Sequence, residues 1–243
     1  MTILICGASY TAGAGLADRG QAWPYVFQQL SGQAVVSSAI DGASIDHVFY
    51  TAIKEVSVHN YTDVIVAWPP LGRTLVVRNE NNFLVDGSPM FDHKLYGDTR
   101  EFKTFLNLYY KHWSNELYDL KFSLQKILLL QSFLKNRNCC YMFINSDPYD
   151  LADWLQLNNL SANDKSRLLS AFDSMNDDQI VAEQEEIKSY IDQLDLDHYH
   201  DPINYNFRDD CYNRNLMDPK TKHPGPAGHE HLAKLIWQLW SQQ

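Results

Sequence analysis

The stretch Gly7-Ala8-Ser9-Tyr10-Thr11-Ala12-Gly13 follows the apolar run ILIC and sets one serine between two glycines, with Gly15 close behind. Such a loop suits three roles: a cradle for phosphate, a turn that exposes Ser9 as a nucleophile, or a tight bend without chemistry. Phosphate binding by G-x-x-x-x-G-K-[ST] requires a lysine that reaches the phosphates, and residues 3–27 contain none. The dinucleotide pattern G-x-G-x-x-G starts at Gly13 and Gly15 but meets Asp18 where its third glycine should stand. What fits is G-x-S-x-x-x-G at a strand-to-helix junction, where backbone N–H groups can hold a developing oxyanion.

A serine nucleophile needs a base, most often histidine. Among the nine histidines, His47 and His59 flank a predicted helix, His93 and His112 fall in the irregular middle, and His198 and His200 share the loop DHYHDP. His223 differs, because His-Pro-Gly-Pro leads directly into a helix. Proline fixes φ and glycine widens it, so this loop sets the imidazole at little entropic cost. His229 and His231 lie on the helix itself; a metal set with His223 lacks the H-E-x-x-H or four-apart histidine spacing that metal sites use.

The elements that must hold these residues read as alternating strands and helices. Residues 2–6, 34–38 and 63–68 are strand-like, 22–31 and 44–57 helical, and Pro69-Pro70 closes the third strand. That order predicts a parallel sheet with crossover helices, in which loops at the carboxyl ends of the strands form the site. Ser9, Gly42 and the segment after Trp68 all occupy such loops. Residues 72–98 are turn-rich with a small hairpin, 139–145 give a fourth strand, and 226–240 a terminal amphipathic helix. Helical insertions are expected at roughly 99–136 and 149–197, within one domain spanning 1–243.

Composition narrows the partners. The 243 residues are 45% hydrophobic and 13% aromatic, which fits a folded globular chain. The formal net charge of −10, from 30 acids and 20 bases, argues against a nucleic-acid backbone as partner. No apolar run reaches the roughly 18 residues of a membrane span, so no membrane partner is expected. The N-terminal MTILIC has no basic leader and reads as a strand. Cys6, Cys139, Cys140 and Cys211 lack C-x-x-C spacing and are expected reduced, in a cytoplasmic protein. Oligomeric state leaves no mark in the sequence.

Together these pieces resemble the SGNH/GDSL hydrolases. In that family a Gly-Asp-Ser block follows the first strand, a glycine the second and Gly-x-Asn-Asp the third, while Asp-x-x-His-Pro precedes the last helix. Here Gly7-Ala8-Ser9 with Gly13 matches the first block, Gly42 the second, and HPGPAGHEHLAKLI the last, with His223 as its histidine. The resemblance implies a flavodoxin-like three-layer α/β/α fold around a mainly parallel sheet, and ester hydrolysis without a cofactor. Ser9 would attack, His223 would accept its proton, and the amides of Ser9 and Gly42 would hold the oxyanion.

Three positions depart from the pattern. Ala8 replaces the aspartate of Gly-Asp-Ser, and Ala67-Trp68-Pro69-Pro70 stands where the asparagine donor belongs. Proline offers no N–H, and losing one oxyanion donor costs roughly 3 kcal/mol of transition-state stabilisation. Arg73 is the candidate replacement, as a charged fork of donors. Lys220 occupies the place of the last-block aspartate, leaving Asp218, five residues before His223, as the substitute, with Asp209 and Asp210 as weaker ones. Two functions follow: a serine esterase or acetylesterase acting on a small acyl ester such as an O-acetylated carbohydrate, or a catalytically inactive carbohydrate-binding or assembly module of the same fold. A flavodoxin-like nucleotide-binding protein is a third.

Overall fold

The computed structural model describes residues 2–70, 74–78, 81–85, 104, 116–147, 151 and 175–242. Strands β1 (Thr2–Cys6), β2 (Ala34–Ser37), β3 (Asp63–Trp68) and β6 (Cys140–Asn145) form a parallel sheet in the order β2-β1-β3-β6. Its register pairs Leu4 with Val36 and Val64, and Trp68 with Asn145. Between β3 and β6 the chain makes the expected hairpin, with β4 (Thr74–Arg78) antiparallel to β5 (Asn81–Val85). A single-residue parallel bridge from Phe143 to Tyr199 extends the free edge of β6.

Alternation of side chains along the strands divides the core into two layers. Leu4, Cys6, Val64, Val66, Trp68 and Phe143 face α3 (Ile45–His59), α4 (Glu116–Asn136) and α5 (Asp177–Ile191). Ile3, Ile5, Ile65, Ala67, Met142 and Ile144 face α2 (Trp23–Ser31), α6 (Phe207–Asn213) and α7 (Pro226–Trp240). β3 is covered on both faces, which is why Val64–Trp68 reads as an unbroken apolar run, whereas the edge strand β2 alternates exposed and half-buried residues. The parallel sheet is the one expected from the strand–helix alternation, and the three-layer α/β/α architecture is the one the family resemblance implies. What remains of the two expected insertions, residues 99–103, 105–115, 149–150 and 152–174, lies outside the described residues. Among the described residues, no helix is long and apolar enough to cross a membrane.

The helix starts that matter for the site are set locally. The short α1 (Ser9–Ala12) begins at Ser9 itself. Pro24 sits in the first turn of α2 and Pro226 opens α7, where proline's missing N–H costs no helical hydrogen bond. Ser44 caps α3 by accepting from the His47 N–H at 3.1 Å, and this fully buried hydroxyl stands two residues after Gly42. Lys126 of α4 pairs with Asp46 in the first turn of α3. Replacing Ser44 by Ala leaves that N–H without its partner. Ser44→Ala is expected to lower the unfolding free energy by about 1 kcal/mol in a urea titration, with Ser44→Asp retaining most of it.

Candidate active site

Ser9 and His223 belong to loops that pack on one another at the carboxyl end of the sheet. Ser9 is nearly buried, at 9% exposure, and its neighbour Tyr10 meets the His223 ring edge-on with centroids 5.1 Å apart. Gly15, at φ +86°, lies so close to the histidine loop that a Cβ there would come within 2.7 Å of Thr221 Oγ1. Only glycine tolerates both that backbone and that contact. Among the described residues no hydrogen bond joins the Ser9 and His223 side chains, a separation that unliganded sites often show before substrate closes them.

The histidine loop is a tight hairpin. Leu216 O accepts from Gly225 N at 2.9 Å, and Asp218 N donates to His223 O at 2.7 Å, with Lys222 in the left-handed region at φ +56°. Within it, His223 Nδ1 lies 2.8 Å from the Thr221 carbonyl oxygen. A carbonyl only accepts, so Nδ1 carries the proton of the neutral ring and Nε2 keeps its lone pair. That is the tautomer a general base for Ser9 requires.

Asp218 is brought beside His223 through the backbone, but its carboxylate serves the turn. Oδ1 accepts from Lys220 N at 2.7 Å and Thr221 N at 3.0 Å. The Thr221 and Lys220 amides hold this carboxyl below its ordinary range. Thr221 therefore presents its carbonyl to the imidazole while its N–H is fixed by Asp218. Asp209 and Asp210 are engaged in α6. Asp209 accepts from the Asn206 side chain at 3.1 Å, whereas Asp210 takes bonds from Tyr205, Arg214 and His231.

On the other side of Ser9, Gly42 sits at φ +74° in the β2–α3 loop, and Ile40 N donates to Gly7 O at 3.2 Å. The amide N–H groups of Ser9 and Gly42 donate to no acceptor among the described residues. Arg73, the expected replacement donor, lies outside the described residues. Trp68 is fully buried at the end of β3 and is followed by Pro69-Pro70.

His229 was legible only as a residue of the last helix. It is fully buried, and its Nδ1 accepts from the N–H of Trp23 at 3.2 Å. Its Nε2 is buried without a partner among the described residues. A buried donor left unpaired costs about 1–3 kcal/mol. With His223 on Thr221, His229 on Trp23 and His231 on Asp210, the three histidines of the last block turn to three different partners. Burial holds Cys6 as a thiol and pushes Cys211 up to about 12, and it raises Cys139 and Cys140 as well. A cavity of about 490 Å³ opens beside β6 and the end of α7, bordered by Met142, His200 and Leu239, and none of Ser9, Gly42 or His223 lines it.

The single parallel sheet between two helical layers, with a serine after β1 and a histidine loop before the final helix, has the fold of the SGNH, or GDSL, hydrolases. It is similar to a lipolytic protein of the G-D-S-L family from Desulfitobacterium hafniense DCB-2, with a TM-score of 0.51 and 12% identity over 98% of both chains. TesA matches with a TM-score of 0.51 at 13% identity, over 100% of this chain and 99% of its own. The esterase EstA from Pseudoalteromonas sp., in a structure inhibited by monoethylphosphonate, matches with a TM-score of 0.50 at 13% identity over 99% and 97%. No family model matches the sequence, and no curated protein matches it either. At these identities the likeness is one of fold.

Burial, with the charge of His223 added to it, lowers the His229 pKa from 6.5 to about 4. The unfolded chain then binds a proton that the folded one refuses across this interval, so stability is fully present above pH 6.5 and is lost as pH falls toward 4. The shift corresponds to about 3 kcal/mol. Urea unfolding measured from neutral pH to about pH 4 should show His229→Asn losing about that much less stability than the parent; parallel curves would contradict this burial.

Proposed function

We propose that the protein is a serine ester hydrolase acting on small acyl esters, O-acetylated carbohydrates among them. The observation that carries this reading is the His223 ring: its Nδ1 donates to the Thr221 carbonyl, leaving Nε2 to accept a proton, in a hairpin packed on the Ser9 loop. In the reading, Ser9 Oγ adds to the substrate carbonyl carbon as Nε2 takes the hydroxyl proton. The oxyanion collects against the free N–H groups of Ser9 and Gly42, with Arg73 as the further donor. Collapse of the tetrahedral intermediate breaks the ester bond, and Nε2 returns its proton to the leaving alcohol. Water, deprotonated by the same nitrogen, then adds to the acyl-serine, and the carboxylic acid departs with Ser9 restored.

The third member is a backbone carbonyl, with Asp218 one step behind it. A neutral acceptor fixes the tautomer as a carboxylate does, but stabilises the imidazolium less. The four free cysteines accord with a reducing compartment, the cytoplasm, as the place of action. The placement of the Asp218 carboxylate on backbone amides also favours a second reading: a catalytically silent module of the same fold that binds acylated glycan or serves assembly.

Turnover of a short-chain p-nitrophenyl ester and covalent capture by a fluorophosphonate separate the two. Ser9→Ala should abolish both, and His223→Ala should lower turnover by about a thousandfold or more. Asp218→Asn keeps the oxygen that accepts from Lys220 and Thr221 and should stay within about threefold of the parent, whereas a directly acting carboxylate would cost about ten-thousandfold. A folded parent protein that takes no label and turns over no ester establishes the silent module.

A further inference from the structure

We propose that His229 is a positioning residue, locking the helix that follows the serine loop to the helix that follows the histidine loop and so setting how far Ser9 stands from His223. The proposal rests on the hydrolase reading. It starts from where α2 and α7 begin. In this sheet both helices run back from the carboxyl edge, so both N-termini lie at the edge that carries the site. The first N–H groups of a helix have no partner within it, and at α2 the N–H of Trp23 finds one in His229 Nδ1, 206 residues away in sequence.

His229 lies in the first turn of α7, six residues after His223, and its own N–H is held by Gly225 O at 3.0 Å. Trp23 lies two residues after the turn Arg19–Gln21 that ends the serine loop. The bond therefore clamps the two ends of the paths that lead to the hydroxyl and the imidazole. Packing alone gives no reason for a histidine here. The site is fully closed to solvent, and Nε2 holds a proton with no acceptor among the described residues, so an aliphatic side chain of similar volume would fill the layer and leave only the N–H of Trp23 unsatisfied. What the imidazole adds is one acceptor at one place. Burial keeps the ring uncharged across the range in which His223 would work, so the clamp holds while the proposed base exchanges its proton. The charge that bears on it is that of His223; Trp23 from α2 is neutral.

The clamp is tested in two independent ways on the full-length protein. Imidazole ¹⁵N NMR should find His229 as the neutral Nε2–H tautomer from about pH 8 to about pH 5. An Nδ1–H ring, or a ring titrating in the ordinary histidine range, overturns the proposal whether or not the protein is an enzyme. Two variants then read its consequence. Asn places an oxygen near the position of Nδ1 and Leu fills the volume without an acceptor. His229→Leu should lower kcat and the rate of fluorophosphonate capture by about tenfold or more with KM within about twofold, and His229→Asn should recover to within about threefold. Equal behaviour of the two variants, in either direction, contradicts positioning. Should the Leu variant fail to fold, His229→Gln, whose acceptor is displaced by one carbon, takes its place. If the parent protein is inert, the hydrolase reading fails separately; the His223 ring signals then decide, moving in the Leu variant and not in the Asn variant if the clamp sets that ring.

Discussion

The proposed chemistry depends on one hydrogen bond inside a small hairpin, that from His223 Nδ1 to the carbonyl oxygen of Thr221 at 2.8 Å. An imidazole in water exchanges its proton between two nitrogens and turns freely. Here the carbonyl selects the nitrogen, and the pairing of Asp218 N with His223 O selects the direction of the backbone. The Asp218 carboxylate contributes one layer further out by holding the Lys220 and Thr221 amides. Charge that would otherwise meet the imidazole is used to shape the turn that carries it.

This exchange of roles has a physical cost and a physical advantage. A carboxylate against Nδ1 would favour the imidazolium, and a neutral carbonyl favours it less, so the proton transfer proposed for Ser9 gains less help. In return the acceptor belongs to the backbone of the same hairpin and loses no side-chain rotamer freedom on folding. The loop is further confined by Gly15 against Thr221 and by the Tyr10 ring against His223. The fold supplies the remainder: a parallel sheet whose strands β1, β3 and β6 are buried on both faces directs the loops after β1 and β2 to one edge, and brings the N-termini of α2 and α7 beside them.

Much of this was legible from the chain because it depends on short-range rules. Apolar runs ending in glycine or proline mark β1 and β3, Gly32 closes α2, and Pro226 opens α7. Ser9 and His223 stood out because small residues and proline surround them. The acceptor for His223 Nδ1 was not legible, since a carbonyl oxygen has no residue type to betray it; the sequence offered Asp218 as a carboxylate and could not say that its oxygens would face the turn. His229 was equally silent, because its partner is a backbone N–H at the opposite end of the chain. Such contacts follow from how two helices dock, which local patterns do not encode. Arg73 and much of the expected helical insertions lie outside the described residues.

The direct measurement is a crystal structure of the protein after reaction with an alkyl fluorophosphonate. The phosphorus should be bonded to Ser9 Oγ, with one oxygen facing the amides of Ser9 and Gly42. His223 Nε2 should lie within hydrogen-bonding distance of the adduct while Nδ1 stays on the Thr221 carbonyl. An unmodified Ser9 beside an intact hairpin, or an adduct in which the imidazole has turned to the Asp218 carboxylate, would contradict the account.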